Sequence, residues 1–297
     1  MSGRLEGKVT FITGAGRGQG RAHAVKQGGE GSKIIAIDIC EDIESNPYPM
    51  SSWDDLQETK ALVEKAGSEC LTIKADVRNR EALADAMAEG VAAFGRLTTV
   101  CANAGILPMA MGDPNPTDFQ DAVDVDLIGV MNAVRVSIPH IIPAGREGSI
   151  IITGSTAGMM PNTVSPAQDP KVMMGPGSAG YGWAKRVLIS YTEEMAMHLS
   201  SYGVRVNAIH PTNVNTALLQ NEYIYSLFRP DLEKGKITKE DFAPASRYFQ
   251  ALPVDWLEPE DVADLVLFLA SEDAKYISGD NIRIDAGSMV KWPNGPQ

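Results

Sequence analysis

Short apolar runs recur along the chain, and longer stretches with helical periodicity separate them. The runs are KVTFIT, KIIAIDI, CLTIKADV, LTTVCANAG, SIIITGS, VRVNAIHP and NIRIDAG. Runs that are apolar throughout are typical of strands buried on both faces, as in a parallel sheet covered by helices. We therefore expect an α/β fold: a single doubly wound Rossmann-type domain over residues 1–297, with a central parallel sheet of about seven strands.

Three segments are longer than this fold needs. They are residues 40–55 after the second strand, 161–177 after the fifth and 217–252 after the sixth. Loops beyond about 12–15 residues in a compact domain are commonly functional. The third segment is rich in aromatic and aliphatic side chains, namely Tyr223, Tyr225, Leu227, Phe228, Phe242, Tyr248 and Phe249. It is a candidate substrate lid, although these residues could equally pack the segment onto the domain or form a subunit interface.

The composition is that of a soluble globular protein, with 44% hydrophobic residues, 22% charged residues and a net charge of −12. An acidic chain without a basic stripe is not expected to bind nucleic acid. No apolar run approaches the ~18 residues of a membrane span, and the N-terminus lacks a signal-peptide pattern. We therefore predict a cytoplasmic protein that does not associate with membranes.

Cysteines and histidines do not indicate a metal site. Cys40, Cys70 and Cys101 form no CxxC pair and fit reduced thiols. His198 and His210 have no partner at metal-ligand spacing, so packing or surface roles are favoured for both.

The first strand leads directly into TGAGRGQG, residues 13–20, and then into a helix-compatible stretch. Glycines in such a turn let backbone N–H groups approach a pyrophosphate at the helix N-terminus, where the helix dipole favours negative charge. The candidate cofactor-binding residues of the turn are Gly14, Arg17, Gly18, Gln19 and Gly20.

The second strand ends at Asp38, eighteen residues after Gly20. A carboxylate here can accept hydrogen bonds from the adenosine ribose and repels a 2′-phosphate, which selects NAD over NADP. Arg17 favours the opposite choice, because a guanidinium in the turn could pair with that phosphate. We give the carboxylate more weight and predict NAD as the cofactor.

Tyr181 and Lys185 are four residues apart, directly after the Gly- and Pro-rich stretch MMGPGSAG. In a helix they share one face, and a neighbouring ammonium favours the phenolate, which lowers a tyrosine pKa from about 10. The pair could be a general acid/base device, but such pairs also occur by chance in amphipathic helices. Other motifs in the chain are needed to choose between these two interpretations.

Four ordered motifs supply that context: TGAGRGQG, NAG at 103–105, GSTAG at 154–158 and YGWAK at 181–185. With them the chain resembles the short-chain dehydrogenase/reductase family, from Lys8 to about Gly287. The resemblance implies that Tyr181 is the general acid/base, that Lys185 lowers its pKa and holds the nicotinamide ribose, and that Ser155 binds the substrate oxygen.

The resemblance also implies further cofactor contacts. Asp76 and Val77 would bind the adenine edge, and Asn103, Ala104 and Gly105 would lie along the cofactor. Pro211, Val214 and Thr216 would hold the carboxamide, in a segment where Thr212 replaces the glycine that is more usual after Pro211.

A second departure from the family pattern bears on the proposed proton transfer. Asp126, in VDVDLIGVMNA, stands where the family usually has an asparagine whose backbone carbonyl completes a proton relay. Asp126 keeps that carbonyl but adds a possible negative charge, which would shift the pKa values of its neighbours.

The long segment at 40–55, HPT in place of HPG, and the extra residues at 161–177 are similar to the carveol dehydrogenase-like, mycofactocin-coupled subgroup. That resemblance implies an NAD that does not exchange, covered by residues 40–55, and mycofactocin as the electron acceptor. The alternative for residues 40–55 is a surface decoration. A homotetramer is implied by the family alone.

The expected activity is hydride transfer between a secondary alcohol or ketone, hydrophobic and carveol-like, and NAD. The alternative is a catalytically idle NAD-binding sensor or scaffold on the same fold, because a fold does not prove catalysis. The presence of Ser155, Tyr181 and Lys185 together favours the enzyme.

Overall fold

The computed structural model describes residues 3–109, 116–160 and 176–292. Within these ranges seven strands form one parallel sheet, which confirms the predicted doubly wound α/β fold. The strands are β1 Val9–Thr13, β2 Lys33–Asp38, β3 Cys70–Lys74, β4 Thr99–Ala102, β5 Ser149–Thr153, β6 Arg205–Pro211 and β7 Asn281–Ile284. Their order is β3-β2-β1-β4-β5-β6-β7, so the chain changes direction across the sheet between β1 and β4.

Helices connect the strands and cover both faces of the sheet. They are α1 Gly18–Gly29, α2 Trp53–Lys65, α3 Arg80–Phe94, α4 Pro116–Val123, α5 Val130–Ile141, α6 Thr156–Met159, α7 Pro176–Leu199, α8 Glu222–Phe228, α9 Lys239–Phe249, α10 Pro259–Ala270 and α11 Ser288–Lys291. A π-helical turn, Asp124–Gly129, joins α4 to α5. Side-chain caps such as Ser52 before α2 and Thr238 before α9 satisfy first-turn N–H groups and set where those helices begin.

The central strands β1, β4, β5 and β6 are buried along their whole length because helices cover both faces of the sheet, whereas the edge strands β3 and β7 are only partly buried. Phe11 and Ile35 point into one core, which they share with residues of α3 and α5. Their neighbours Ile12 and Ile34 point into the opposite core, against α1 and α10. This alternation explains why the strands show no polar face in the sequence.

The helical stretch Thr117–Glu147 is long and apolar enough to cross a membrane by length and composition, with a mean hydropathy of 1.4. The sequence analysis missed it because scattered polar residues break its apolar runs without lowering their average much. It consists of α4, the π-helical turn, α5 and a 3₁₀ turn, and half of its apolar window is buried. Val130, Ala133 and Val134 belong to the core beneath the sheet. We interpret the stretch as a core helix.

The change of direction between β1 and β4 determines where a ligand can bind. In doubly wound sheets the crevice lies at the carboxyl ends of the strands on either side of this point. Residues 40–55 leave the carboxyl end of β2, and residues 217–252 leave that of β6 and contain α8 and α9. Of the second segment, 161–177, residues 161–175 lie outside the described residues, and the last two begin α7.

Candidate active site

The glycine turn between β1 and α1 is packed too closely for larger residues at two positions. Gly14 has a φ of +67°, and a Cβ there would lie 2.8 Å from the Cα of Ala104. A Cβ on Gly20 would lie 2.0 Å from the carbonyl oxygen of Gly14. No side chain caps α1 at Arg17. The turn therefore presents the N-terminal backbone of α1 to the crevice, as anion binding requires.

The carboxylate of Asp38 lies buried beside this turn, at the end of β2. Its Oδ2 accepts a hydrogen bond from the backbone N–H of Gly16 at 2.8 Å. Its Oδ1 accepts one from the hydroxyl of Ser51 at 2.5 Å. The glycine turn and residues 40–55 are thus both tied to the same carboxylate.

Residues 40–55, which we call the insertion, lie over the crevice. Tyr48 is only 8% exposed, and its hydroxyl oxygen accepts a hydrogen bond from the backbone N–H of Leu107 at 3.2 Å. The guanidinium of Arg17 donates to the carbonyl oxygen of Pro49. Sequence reasoning identified the insertion but missed Tyr48 and Ser51. The available signal was an aromatic residue and a small hydroxyl residue in an otherwise polar segment that begins beside Asp38.

The NAG motif is fixed to the end of β1. The hydroxyl of Thr13 accepts hydrogen bonds from the backbone N–H groups of Asn103 and Ala104, both at 2.9 Å. The side-chain amide of Asn103 donates to the carbonyl oxygen of Thr13 at 3.1 Å. These bonds hold residues 103–105 along the crevice floor.

Asp76 and Val77 lie at the far edge of the crevice, after β3. The Asp76 carboxylate is bound by its neighbour Arg78, through the backbone N–H at 2.9 Å and through Nε at 2.9 Å. This local pair orients the carboxylate. The role of Arg78 was not predicted from the sequence.

Ser155, Tyr181 and Lys185 come together at the opposite end of the crevice. Ser155 lies two residues after the end of β5 and caps α6, its hydroxyl accepting a hydrogen bond from the N–H of Ala157 at 3.1 Å. Tyr181 and Lys185 share one face of α7, with the ammonium 5.5 Å from the centre of the tyrosine ring. The ammonium donates to the carbonyl oxygen of Thr153 at 2.9 Å, so β5 fixes its position.

The acidity of Tyr181 is a balance of opposing effects. Burial raises the pKa of Tyr181, and Lys185 offsets part of that rise. Asp126 raises the same pKa, whereas a hydrogen bond with Ser155 lowers it. From the sequence, only the effect of Lys185 on the pKa of Tyr181 could be predicted, because the spacing of two residues gives no information about burial.

Asp126 lies in the π-helical turn and is completely buried. Its Oδ1 is 3.1 Å from Nζ of Lys185, and its Oδ2 accepts a hydrogen bond from the N–H of Ile106 at 3.3 Å. Burial raises the pKa of Asp126 to about 6, against the lowering effect of Lys185. The departure noticed in the sequence is therefore an ion pair in the structure.

His210 supports Ser155 from behind. Its Nδ1 accepts a hydrogen bond from the backbone N–H of Ser155 at 3.2 Å, and its Nε2 lies 2.9 Å from Oδ1 of Asn281. Burial lowers the pKa of His210 and so favours the neutral ring, whereas the hydrogen bonds with Asn281 and the Ser155 backbone act in the opposite direction. Within residues 3–109, 116–160 and 176–292, no cluster of three or more His, Cys, Asp or Glu side chains could hold a metal ion.

A single cavity of about 1150 Å³ joins these groups. It is lined by every residue predicted for the site except Gly20, namely Gly14, Arg17, Gly18, Gln19, Asp38, Asp76, Val77, Asn103, Ala104, Gly105, Asp126, Ser155, Tyr181, Lys185, Pro211, Val214 and Thr216. Gly20 lies in the first turn of α1, where it packs against the backbone carbonyl of Gly14.

Residues 217–252, the lid, close one side of the cavity. Leu227, Phe228, Tyr248 and Phe249 line it, together with Met109 and Met160 from outside the lid. Phe242 is fully buried and stacks on Tyr225 with ring centres 5.0 Å apart. Two of the interpretations that the sequence left open therefore apply to different residues of the lid. Some of them line the cavity, and others pack the lid together.

Comparison with known proteins agrees with this geometry. A family model described as enoyl-(acyl carrier protein) reductase matches residues 14–289. The (−)-trans-carveol dehydrogenase of Rhodococcus erythropolis is 41% identical over 97% of this chain and 99% of its own. The crystal structure of carveol dehydrogenase from Mycobacterium avium in complex with NAD is 40% identical, with a TM-score of 0.87, and covers 97% of this chain and 99% of that one.

A second solved structure is similar over the same range. A short chain dehydrogenase from Mycobacterium paratuberculosis bound to NAD is 36% identical, with a TM-score of 0.82 over 97% of this chain and 100% of that one. The sequence similarity and the structural similarity to these relatives thus both extend over nearly the whole chain. The chain belongs to the short-chain dehydrogenase/reductase family of oxidoreductases, with carveol dehydrogenases among its relatives.

Proposed function

We propose that this protein transfers a hydride between a hydrophobic secondary alcohol or its ketone and NAD. The observation that carries the proposal is the single cavity that contains the glycine turn at one end and Ser155, Tyr181 and Lys185 at the other. The NAD complexes of two relatives support the choice of cofactor.

The residues present fit NAD. In the glycine turn, a Cβ at Gly14 or Gly20 would lie too close to neighbouring backbone atoms. Because glycine has no Cβ, a pyrophosphate can approach the backbone there. Asp38 is placed to accept hydrogen bonds from the adenosine ribose, and Arg17 is engaged with the insertion at Pro49. This arrangement favours NAD over NADP, since a buried carboxylate repels a 2′-phosphate.

The residues that line the cavity support the following roles. Asp76 and Val77 would hold the adenine, residues 103–105 would lie along the middle of the cofactor, and Pro211, Val214 and Thr216 would hold the carboxamide. Lys185 would bind the nicotinamide ribose, which orients the ring toward Ser155 and Tyr181. NAD, when bound, supplies the acceptor for the hydride.

The proton moves separately from the hydride. Ser155 Oγ would donate a hydrogen bond to the substrate oxygen and hold the reacting carbon in position. During alcohol oxidation Tyr181 Oη accepts the hydroxyl proton, and during ketone reduction it returns that proton. The backbone carbonyl of Asp126 is a candidate for passing the proton on to solvent, as the family pattern implies.

The substrate we propose is a carveol-like secondary alcohol. The lid supplies Leu227, Phe228 and Phe249 opposite the polar groups, and a mostly apolar cavity with a few convergent polar groups is typical of small-molecule sites. Two relatives are carveol dehydrogenases, which supports a cyclic hydrophobic alcohol of that size.

We further propose that NAD is retained between turnovers and that mycofactocin takes its electrons. The insertion makes three contacts across the cavity: Ser51 with Asp38, Pro49 with Arg17, and Tyr48 with Leu107. These contacts would hold the insertion over a bound cofactor and slow its release. The cytoplasmic location and the homotetramer expected from the sequence remain predictions.

Replacing both Ser51 with Ala and Tyr48 with Phe should accelerate NAD release. Each change removes a hydroxyl that holds the insertion, and each buried hydrogen bond contributes about 1 kcal/mol, so we expect roughly tenfold or more faster release in the double variant. Exchange of bound NAD with labelled NAD measures this rate directly. Ser45→Ala is the matched control, because the Ser45 hydroxyl lies in the same insertion and has no hydrogen-bond partner among the described residues. Equal exchange rates in all three proteins would contradict a retaining role for the insertion.

Counting the NADH formed per chain tests the proposed function. Purified protein is mixed with carveol-like secondary alcohols and excess NAD, and absorbance follows the NADH. We expect a burst of no more than one NADH per chain, with turnover resuming when mycofactocin is supplied. Many NADH per chain would support the oxidoreductase but overturn cofactor retention. No NADH with any secondary alcohol or ketone pair, in a protein that still binds NAD, would favour the idle sensor instead.

A further inference from the structure

Asp126 forms an ion pair with Lys185 and stands at a position where the family pattern has an uncharged asparagine. We propose that its side chain is the counter-ion of Lys185 and thereby limits how strongly Lys185 favours the Tyr181 phenolate. Asp126 is then a positioning residue that acts through Lys185 and does not touch the substrate. This inference rests on the proposed function of Tyr181 as the general acid/base.

The geometry of the pair is tightly constrained. The Asp126 carboxylate is fully buried, Lys185 is 3% exposed, and Oδ1 lies 3.1 Å from Nζ. Oδ2 is held by the N–H of Ile106. Gly105 makes room for this approach, because a Cβ there would lie 2.6 Å from Oδ1.

Lys185 has three N–H donors to distribute. One goes to the carbonyl oxygen of Thr153 at 2.9 Å, and Asp126 Oδ1 lies 3.1 Å from Nζ as an ion-pair partner. With asparagine at position 126 the ammonium would face a neutral amide. The aspartate therefore changes the field around Nζ at the position from which the lysine acts on both the ribose and Tyr181.

The charged and titratable groups around Asp126 are few. Lys185 and Tyr181 face it from α7, and Tyr48 of the insertion lies close enough for Asp126 to raise its pKa further, beyond the dominant effect of burial. The pKa of Asp126 itself, raised to about 6 by burial, places its ionised form at neutral pH and above. In that range the carboxylate opposes Lys185, and Tyr181 keeps its proton to higher pH.

The sign of the effect follows directly. A protonated Tyr181 can donate to a ketone oxygen, whereas alcohol oxidation needs the phenolate. Asp126 therefore moves the pH range of alcohol oxidation upward and keeps Tyr181 ready for ketone reduction near neutral pH. Below about pH 6 the carboxyl is neutral, and the protein resembles one with asparagine at this position.

Asp126→Asn tests the inference with little change of volume. The rate of NADH formation in a single turnover is measured against pH with a secondary alcohol. Removing one buried charge next to Lys185 should lower the apparent pKa of alcohol oxidation by about one pH unit. Asp126→Ser, also neutral but smaller, should shift it in the same direction. Asp124→Asn is the matched control, since it removes the same charge from the same π-helical turn and should leave the profile in place.

A second readout does not depend on activity. The absorbance of phenolate is titrated in the wild type, in Asp126→Asn and in Tyr181→Phe, and the difference from Tyr181→Phe isolates Tyr181. The inference requires Tyr181 to ionise at lower pH in Asp126→Asn than in the wild type. Unchanged ionisation of Tyr181, or slower turnover with an unshifted pH profile, overturns it. If no alcohol yields NADH, the proposed function fails, while the titration still decides whether Asp126 controls Tyr181.

Discussion

Tyr181→Phe is expected to slow hydride transfer by about 10³-fold, in the range that a positioned general acid/base contributes. The variant loses one oxygen atom. The ring that packs beside Lys185 remains, as do the Lys185 contacts with Thr153 and Asp126. The cavity and the cofactor-binding residues should therefore be unaffected, and the variant should retain NAD as the wild type does.

The measurement is the single-turnover rate of NADH formation, together with the NAD content of each purified protein. Tyr191→Phe is the matched control, because Tyr191 lies further along the same helix, α7, packs against the main core and does not line the cavity. It should leave the rate unchanged. Wild-type hydride transfer by Tyr181→Phe would refute the assigned mechanism, and loss of NAD from that variant would show that the change is not confined to proton transfer.

Gly20→Ala should abolish cofactor binding. The added Cβ would lie 2.0 Å from the carbonyl oxygen of Gly14 and 2.9 Å from the side-chain amide of Asn103. The first of these is a backbone atom in the turn, so the clash cannot be relieved by rotating a side chain. Such overpacking typically costs about 1–3 kcal/mol of stability, and here the distortion falls on the proposed pyrophosphate cradle. Thermal denaturation and NAD content measure the two effects separately.

Gly29→Ala is the control within the same helix. A Cβ at Gly29 meets only the Cβ of Ala66, at 3.8 Å, which is an ordinary contact. Alanine restricts the unfolded chain more than glycine, so this variant should be neutral or up to about 1 kcal/mol more stable, with its NAD content unchanged. A Gly20→Ala protein that unfolds and binds NAD like Gly29→Ala would contradict the close packing of the turn.

The fold was predictable because its signals are local. Each of the seven apolar runs contains a strand, since burial of the sheet on both faces keeps most strand positions apolar. The residues that line the cavity were predictable for a related reason. Turns such as the one around Gly14 and pairs such as Tyr181 and Lys185 occupy short segments, and the carboxyl ends of parallel strands bring those segments to one crevice.

The remaining features depend on contacts between residues that are far apart in the sequence, so no single segment reveals them. The sequence placed the insertion beside Asp38, but only the path of the chain brings Tyr48 to Leu107 and Ser51 to the carboxylate. The aspartate at position 126 was visible as a departure, whereas its contact with Lys185 depends on how the π-helical turn meets α7.

The hydrogen bond between Ser51 and Asp38 links two properties that are usually varied separately. The carboxylate that would discriminate against NADP is also the anchor for the insertion and for the N–H of Gly16. An engineer who replaces Asp38 to admit a 2′-phosphate would at the same time loosen the cover over the cofactor. Natural drift in coenzyme preference faces the same constraint, so a lineage that keeps its NAD bound has little freedom to change which nucleotide it uses.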